Sequence, residues 1–304
     1  MPVENPTKNT TDDISELQSE INALSQAVNA LTSQLKTPDK PQLTFDNAIK
    51  QADAFVFDAV SHNLHPVTAV SAPSLNLLHG INHAKTALLE NTRQFANGVG
   101  ANNALLWGAR GMGKSTLIKS VHRAILDEVE VKPALIEIHR EDIASLPQLL
   151  RALSVVDRQC ILFCDDLSFN RPDQDFKALK SVLEGGLEGR PTNILFYATS
   201  NRRHLLPRSL AEQESATGIH PNESMDETIA LSDRFGLWLG FHTCDQEEYL
   251  TMIENYISNF SLQISSEWQT SALEWAKTRG NRSGRTAWQF VQNLAGKQGK
   301  SVSF

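Results

Sequence analysis

The sequence predicts an α/β fold: a doubly wound parallel sheet of five strands, with an N-terminal helical extension and a small C-terminal helical lid. The first observation is a series of short apolar runs that alternate with amphipathic segments: Ala104 to Trp107, Ala134 to Ile138, Cys160 to Cys164, Ile194 to Ala198 and Leu237 to Phe241. Such runs are typical of strands buried on both faces of a parallel sheet. The second and third observations are a glycine-rich loop after the first run and two carboxylates after the third.

The first segment, residues 1–37, is predicted to be an amphipathic helix with Asp12 or Asp13 as its N-cap. Its apolar residues recur at alternating steps of three and four, and they are Ile14, Leu17, Ile21, Leu24, Val28, Leu31 and Leu35. A stripe of about three heptads makes only a short coiled coil, so pairing with itself, docking on its own domain and binding a partner remain alternatives. Pro38 and Pro41 end this helix, because proline cannot continue it.

Residues 38–97 are predicted to form a helical N-terminal region, since their apolar residues follow helical spacing. These residues are Phe45, Ile49, Ala52, Phe55 and Val56, followed by Leu75, Leu78, Ile81, Ala84 and Leu88. Prolines at 66 and 73 interrupt the pattern. The α/β core is then predicted over residues 98–241, and the helical lid over residues 242–304.

The glycine-rich loop predicts a nucleotide phosphate site. Residues 108–115, Gly-Ala-Arg-Gly-Met-Gly-Lys-Ser, fit the pattern G-x-x-x-x-G-K-[ST] without a mismatch. Glycine lets the backbone amides turn inward around the β- and γ-phosphates, and the helix that follows points its free amides at them. An ordinary glycine turn is the alternative. The predicted phosphate contacts are Gly108, Ala109, Arg110, Gly111, Met112, Gly113, Lys114, Ser115 and Thr116, with Ser115 also placed on Mg²⁺.

The polar ends of two later strands complete the predicted site. Asp165 and Asp166 follow the run that ends at Cys164, and we assign Asp165 to the metal and Asp166 to the attacking water. The alternative for Asp166 is a helix N-cap. Asn201 ends the next strand and can reach the γ-phosphate or the water, although asparagine is also a common turn residue.

These motifs carry a family resemblance. The phosphate loop, the Asp-Asp strand, the Ser-Asn strand end, Asp233-Arg-Phe-Gly and a late Gly284-Arg follow one another in the order of the AAA+ ATPases. The segments GARGMGKSTLIK, CDDLSF and LSDRFGLWLGF resemble sequences of the bacterial group called domain of unknown function 815. More distantly, they resemble the replication-initiator and helicase-loader ATPases. The resemblance implies that Asn201 is sensor 1, Arg234 the arginine finger and Arg285 the sensor 2 arginine. It also implies that residues 78–81, Leu-His-Gly-Ile, line the adenine pocket.

An aspartate at position 166, where many AAA+ proteins have glutamate, withdraws the carboxylate by about one bond, ~1.5 Å. We therefore expect slow or partner-stimulated hydrolysis of ATP with Mg²⁺. An arginine finger acts on the nucleotide of a neighbouring subunit, so the resemblance also implies a homo-oligomer.

Composition limits the location and the partners. The formal net charge is −7, and the three cysteines form no C-x-x-C pair, which suits a reducing cytosol. The N-terminus lacks the features of a signal peptide, and no apolar run approaches the ~20 residues of a membrane span, so we expect a cytoplasmic protein without a membrane partner. From residue 271 onward the chain is basic, which together with the initiator analogy makes DNA a candidate partner beside an unknown protein client.

Three functional hypotheses follow. The first is an ATPase whose cycle remodels or loads a macromolecule. The second is a nucleotide-gated binding or adaptor module with little hydrolysis, in which ATP sets the conformation that recruits a partner. The third is a P-loop kinase, which would need a phosphoacceptor pocket and lid arginines.

Overall fold

The computed structural model describes residues 18–28, 45–169, 174–185, 189–203, 205, 231 and 233–304. The chain divides into two units, residues 1–43 and 44–304, and each is described by itself. In the first unit, helix α1 covers residues 18–28, and Ile21, Leu24 and Val28 are exposed. The remaining residues of the predicted stripe, Ile14, Leu17, Leu31 and Leu35, lie outside the described residues.

The described part of the second unit contains a seven-stranded sheet in the order β2-β1-β4-β5-β6-β3-β7. Its strands are β1 (Ala54–Asp58), β2 (Asn63–Pro66), β3 (Ala104–Gly108), β4 (Ala134–Glu137), β5 (Cys160–Cys164), β6 (Ile194–Ser200) and β7 (Leu237–Phe241). Neighbouring strands run parallel, except that β1 and β2 are antiparallel. The predicted doubly wound sheet and its five strands are confirmed, but the prediction of only five strands is wrong.

The two additional strands fall where the sequence predicted helix. Phe55 and Phe57 are fully buried, whereas Val56 and Asp58 between and after them are only partly buried, so this segment alternates with the period of a strand. Its apolar residues also satisfied helical spacing, because a short apolar run fits both periods. The hairpin turn is stabilised by Asp58, which accepts hydrogen bonds from the Val60 amide (2.8 Å) and the Ser61 hydroxyl (2.6 Å).

Helices flank the sheet and form the C-terminal region. They are α2 (Asn82–Ala96), α3 (Lys114–Glu128), α4 (Leu146–Ser154), α5 (Gln174–Glu184), α6 (Gln246–Asn259), α7 (Trp268–Thr278) and α8 (Gly284–Lys297), with 3-10 helices at Ala48–Lys50, Leu75–Leu77 and Arg140–Ser145. Helix α8 packs on α6 and α7, which places three helices in the predicted lid. None of the described helices is long and apolar enough to cross a membrane.

The helix ends of this region are fixed by side-chain caps. Asp245 and Glu248 form a capping box at the start of α6, and the Ser283 hydroxyl accepts a hydrogen bond from the Thr286 amide at the start of α8. A cap of this kind contributes about 1 kcal/mol to helix stability. The position at which α8 begins matters for the site, because Arg285 lies in its first turn.

The centre of the sheet is buried on both faces. Every residue of β5 and β6 is buried, as expected for central parallel strands. The Tyr197 hydroxyl in the middle of β6 is satisfied by Asn91 (3.0 Å) and Thr92 (2.8 Å) of α2. Because β3, β5 and β6 run parallel side by side, their carboxyl ends bring the phosphate loop, the two aspartates and Asn201 to one edge of the sheet.

Candidate functional site

The glycine-rich loop leaves β3 in a conformation that requires glycine. Gly108 has φ +124, and a Cβ at this position would lie 2.1 Å from the Phe241 carbonyl oxygen in the neighbouring strand. Gly113 has φ +88 and directly precedes α3, which begins at Lys114. The first-turn amides of α3 have no intrahelical acceptor, so the loop and the helix end together present donors suited to an anion.

Lys114 is a buried cation held by neutral oxygens. Only 7% of its surface is exposed, and its Nζ donates hydrogen bonds to the carbonyl oxygens of Gly108 (2.9 Å) and Ala109 (2.8 Å) and to Asn201 Oδ1 (3.0 Å). Burial lowers the pKa of Lys114, while the nearby Asp165 and Asp166 act in the opposite direction. A buried ammonium with its charge only partly balanced is well suited to receive a phosphate.

The two aspartates at the end of β5 have different partners. Asp165 Oδ1 accepts a hydrogen bond from Ser115 Oγ at 2.5 Å, which joins the two residues assigned to the metal. Asp166 Oδ1 accepts from Asn201 Nδ2 at 2.5 Å. Asp166 has φ +50, and residues 167–169 are not helical, so the alternative of a helix N-cap at this position does not apply.

Thr199 joins these two aspartates and was missed by the sequence analysis. Its Oγ1 donates to Asp165 Oδ1 (2.5 Å) and accepts from the Asp166 backbone amide (2.9 Å). One hydroxyl therefore fixes both the Asp165 carboxylate and the unusual backbone of Asp166. The signal was present in the sequence, since the threonine lies two residues before Asn201, but its partners depend on strand pairing that spacing alone does not give.

A cavity of about 700 Å³ brings most of the predicted residues together, and this volume is in the range of small-molecule sites. Its polar end is lined by residues 110–116 of the loop and α3, with Asp165, Asp166, Thr199, Asn201 and Arg285. Gly108 and Ala109 do not line this cavity; their carbonyls bind Lys114 from behind it.

The lid contacts the phosphate loop directly. The Arg285 amide donates to the Gly111 carbonyl oxygen at 3.0 Å. Gly111 has φ +75, and a Cβ there would lie 2.9 Å from Ser283 Oγ and 3.2 Å from Arg285 Cβ. The start of α8 and the loop are thus packed so closely that glycine is needed between them, and Arg285 is positioned at the polar end of the cavity.

The other end of the cavity is apolar and partly aromatic. Of the four residues predicted for the adenine pocket, Leu78, His79 and Ile81 line this end, whereas Gly80 lies beside it, against Glu248 and Met252. The remaining lining residues at this end include Leu77, Met252, Tyr256, Trp288 and Phe304. The rings of Trp288 and Phe304 are 4.1 Å apart, and Tyr256 contacts both. This aromatic wall of Tyr256, Trp288 and Phe304 was not predicted from the sequence, because its members are separated by up to 48 positions and meet only when the lid folds.

Arg234 does not line this cavity. It precedes β7, and its guanidinium forms an ion pair with Glu184 at the end of α5. The side chains of Arg234 and Glu184 are 27% and 42% exposed. The structure therefore brings together the predicted loop, acids, sensor 1 and sensor 2 residues, but it places the predicted finger elsewhere on the same chain.

The sequence profile described as Protein of unknown function (DUF815) matches residues 50–298. The chain belongs to this family. No match is found among curated proteins.

The fold is shared with a solved structure. The Orc1 protein of Aeropyrum pernix, solved in complex with DNA, aligns with a TM-score of 0.51 at 14% identity, covering 73% of this chain and 61% of that one. A RuvB mutant of Thermotoga maritima gives a TM-score of 0.48 at 17% identity over 74% of this chain and 64% of its own, so the chain spans less than two thirds of both proteins. A HORMA:CdnC:Trip13 complex of E. coli MS115-1 gives 0.47 at 13% identity, covering 77% and 96%. The fold is that of the AAA+ P-loop ATPases.

Proposed function

We propose that this protein binds ATP with Mg²⁺ in the described cavity and hydrolyses it. The observation that carries the proposal is the convergence of a buried lysine, free helix amides, two carboxylates, a strand-end asparagine and a lid arginine on one cavity with an apolar far end. The cationic and amide-rich end suits a triphosphate, and the apolar end suits a base.

The residues present fit a magnesium ion. Ser115 Oγ and Asp165 Oδ1 lie 2.5 Å apart at the polar end, and hydroxyl and carboxylate oxygens are ligands that Mg²⁺ prefers. Bound there, Mg²⁺ would neutralise charge on the β- and γ-phosphates. Thr199 would keep the Asp165 carboxylate oriented toward the ion through its hydrogen bond.

Asp166 and Asn201 are assigned to the water. The Asn201 amide donates to Asp166 and accepts from Lys114, so its two ends are fixed by a cation and a carboxylate. Asp166 would accept the proton of the attacking water while Asn201 holds that water or a γ-phosphate oxygen in place. Lys114 and Arg285 would bind the negative charge that develops on the phosphate oxygens.

The proposed assembly is a head-to-tail homo-oligomer. Because Arg234 lies away from the cavity of its own chain, we assign it to a nucleotide bound by a neighbouring copy. We infer that ATP binding and hydrolysis in this assembly drive remodelling or loading of a macromolecular partner. The client is a protein or DNA; the basic C-terminal segment supports the latter.

Steady-state phosphate release tests the hydrolysis step. The wild-type protein should release phosphate from MgATP, and Asp166→Asn should bind MgATP with unchanged affinity but release phosphate at least ~100-fold more slowly. Slow release by the wild type that Asp166→Asn leaves unchanged would instead favour the nucleotide-gated binding module. The short Asp166 side chain, which withdraws the carboxylate by about one bond, is the feature that favours that alternative.

A further inference from the structure

A second concave surface adjoins the phosphate loop, at the carboxyl ends of β3, β6 and β7. This groove has a volume of about 650 Å³ and contains the exposed side chains of Arg110, Arg202 and Arg203, with Trp107 and His242 beside them. None of the described residues that line it is acidic. Arg110 and Asn201 line both this arginine groove and the nucleotide cavity, so the two are direct neighbours.

The arginine groove is built around Trp107, which packs against residues from neighbouring segments. The Arg203 guanidinium lies over the Trp107 ring, 5.2 Å from its centroid, and the His242 ring meets Trp107 edge-on at 6.1 Å. A Cβ at Gly240 would lie 3.0 Å from Trp107 Cζ2, so the glycine in β7 makes room for this ring. The Arg203 guanidinium therefore lies over the ring, and its N–H donors can still bind an anion.

Two described residues beside Arg234 carry the charge opposite to that of the groove. Glu184 forms the ion pair with Arg234, and the exposed Asp233 precedes it in the chain. If Arg234 approaches a nucleotide on a neighbouring copy, these two carboxylates arrive beside a triphosphate. Like charges brought this close, within the Debye length of about 8–10 Å, repel one another unless cations separate them.

We propose that the arginine groove binds the carboxylates of Glu184 and Asp233 of a second copy of this chain. Arg202 and Arg203 would bind Glu184 in place of Arg234, so that this carboxylate does not accompany the guanidinium to the neighbouring nucleotide. This inference rests on the proposed function, since it requires Arg234 to act between copies.

A second copy fits the groove better than a nucleic acid strand. The Trp107 ring already has Arg203 over its face, Gly240 against its benzo edge and His242 at its side, which leaves little of the ring for stacking with a base. A second copy presents the carboxylates of Glu184 and Asp233 to the arginine groove, and the net charge of the chain is −7, so the charges of the two surfaces are opposite.

A charge-swap experiment on the full chain tests this inference. One variant carries Arg202→Glu and Arg203→Glu, and the other carries Glu184→Lys and Asp233→Lys. With MgATP, each variant alone should need at least a tenfold higher concentration than wild type to assemble, as measured by sedimentation velocity. An equimolar mixture should assemble as wild type does, because each reversed groove then meets a reversed acidic face.

The matched control for the groove variant is Lys277→Glu with Lys297→Glu. It makes the same change of net charge as the groove variant, on exposed residues outside the groove, and should assemble normally.

A failure of the groove proposal and a failure of the proposed function give different results in this experiment. The inference is overturned if the groove variant assembles as wild type does, or if the mixture stays dissociated although both variants fold and bind MgATP. It is also overturned if the groove variant assembles normally and loses binding to a labelled single-stranded oligonucleotide. A wild type that binds MgATP and remains monomeric overturns the groove proposal and the proposed assembly but not the nucleotide site, whereas a wild type that binds no MgATP overturns the proposed function as a whole.

Discussion

At the scale of single residues, a continuous series of hydrogen bonds runs through the site. Lys114 Nζ donates to Asn201, Asn201 donates to Asp166, and Thr199 links the Asp166 amide to the Asp165 carboxylate. Each polar side chain in this series is therefore oriented by a hydrogen bond to another member of it. Pre-oriented groups lose little entropy when a substrate binds, which is why such a series favours catalysis over passive binding.

Thr199 is predicted to be a positioning residue. Thr199→Val keeps the shape but removes the hydroxyl, so Asp165 loses a donor and the Asp166 amide loses its acceptor. We expect phosphate release to fall about 10- to 100-fold, as for other groups that orient metal ligands, with a shift of the Mg²⁺ concentration for half-maximal rate to higher values. Thr199→Ser retains the hydroxyl and should stay within about threefold of wild type. Equal rates for the valine variant and the wild type would contradict this role.

At the scale of elements, the contact between the phosphate loop and α8 couples the lid to the nucleotide site. Gly111→Ala combines a left-handed backbone with a clash against Ser283 and Arg285. Gly280 has the same φ of +75 with no heavy atom within 4 Å of an added Cβ, so Gly280→Ala carries the backbone strain alone. We expect Gly280→Ala to lower the free energy of unfolding by about 1–2 kcal/mol and Gly111→Ala by at least about 1 kcal/mol more.

Urea unfolding of the nucleotide-free protein measures both variants. Equal losses of stability would mean that the lid does not rest on the loop in solution. A larger loss for Gly111→Ala, accompanied by weaker ATP binding, is the result that direct packing of the two elements predicts.

The aromatic wall on the lid is predicted to bind the base. Trp288→Leu removes a ring that lines the cavity, and stacking of a base on an aromatic ring contributes about 1–3 kcal/mol. We therefore expect the Kd for MgATP to rise at least about fivefold, while the Kd for inorganic tripolyphosphate stays unchanged. Trp275→Leu is the control, since Trp275 lies in α7 against Arg279 and Phe290, outside the cavity. An equal rise of the Kd for MgATP and for tripolyphosphate would instead mean that the substitution disturbs the lid as a whole.

The sequence predicted best where a motif is local. The phosphate loop and the two aspartates each lie within a few consecutive residues whose order alone limits their geometry. The hairpin of β1 and β2 was missed because Phe55 and Val56 satisfy two periodicities, and only pairing with β4 decides between them. Thr199 and Trp288 were missed because their roles arise from contacts between elements distant in the chain.

At the scale of the whole molecule, the position of Arg234 makes hydrolysis depend on assembly. Arg234→Ala should leave the Kd for MgATP within about twofold of wild type and lower phosphate release about 10³-fold, since this arginine would stabilise charge only in the transition state. Arg93→Ala is the matched control, because it removes an arginine from an exposed ion pair, with Glu128, that lies outside both the cavity and the arginine groove, and it should not lower the rate. The rate per subunit should also rise with wild-type concentration. A concentration-independent rate that survives Arg234→Ala would remove the finger assignment.

The central claim is that a triphosphate binds where Lys114 meets the first turn of α3, and titration calorimetry tests it most directly. MgATP added to the intact wild-type protein should give saturable heat at one site per chain. Lys114→Ala should weaken that binding by at least about thirtyfold, or about 2 kcal/mol, because the buried cation is lost. No heat with the wild type, or equal affinity in the variant, would contradict the account.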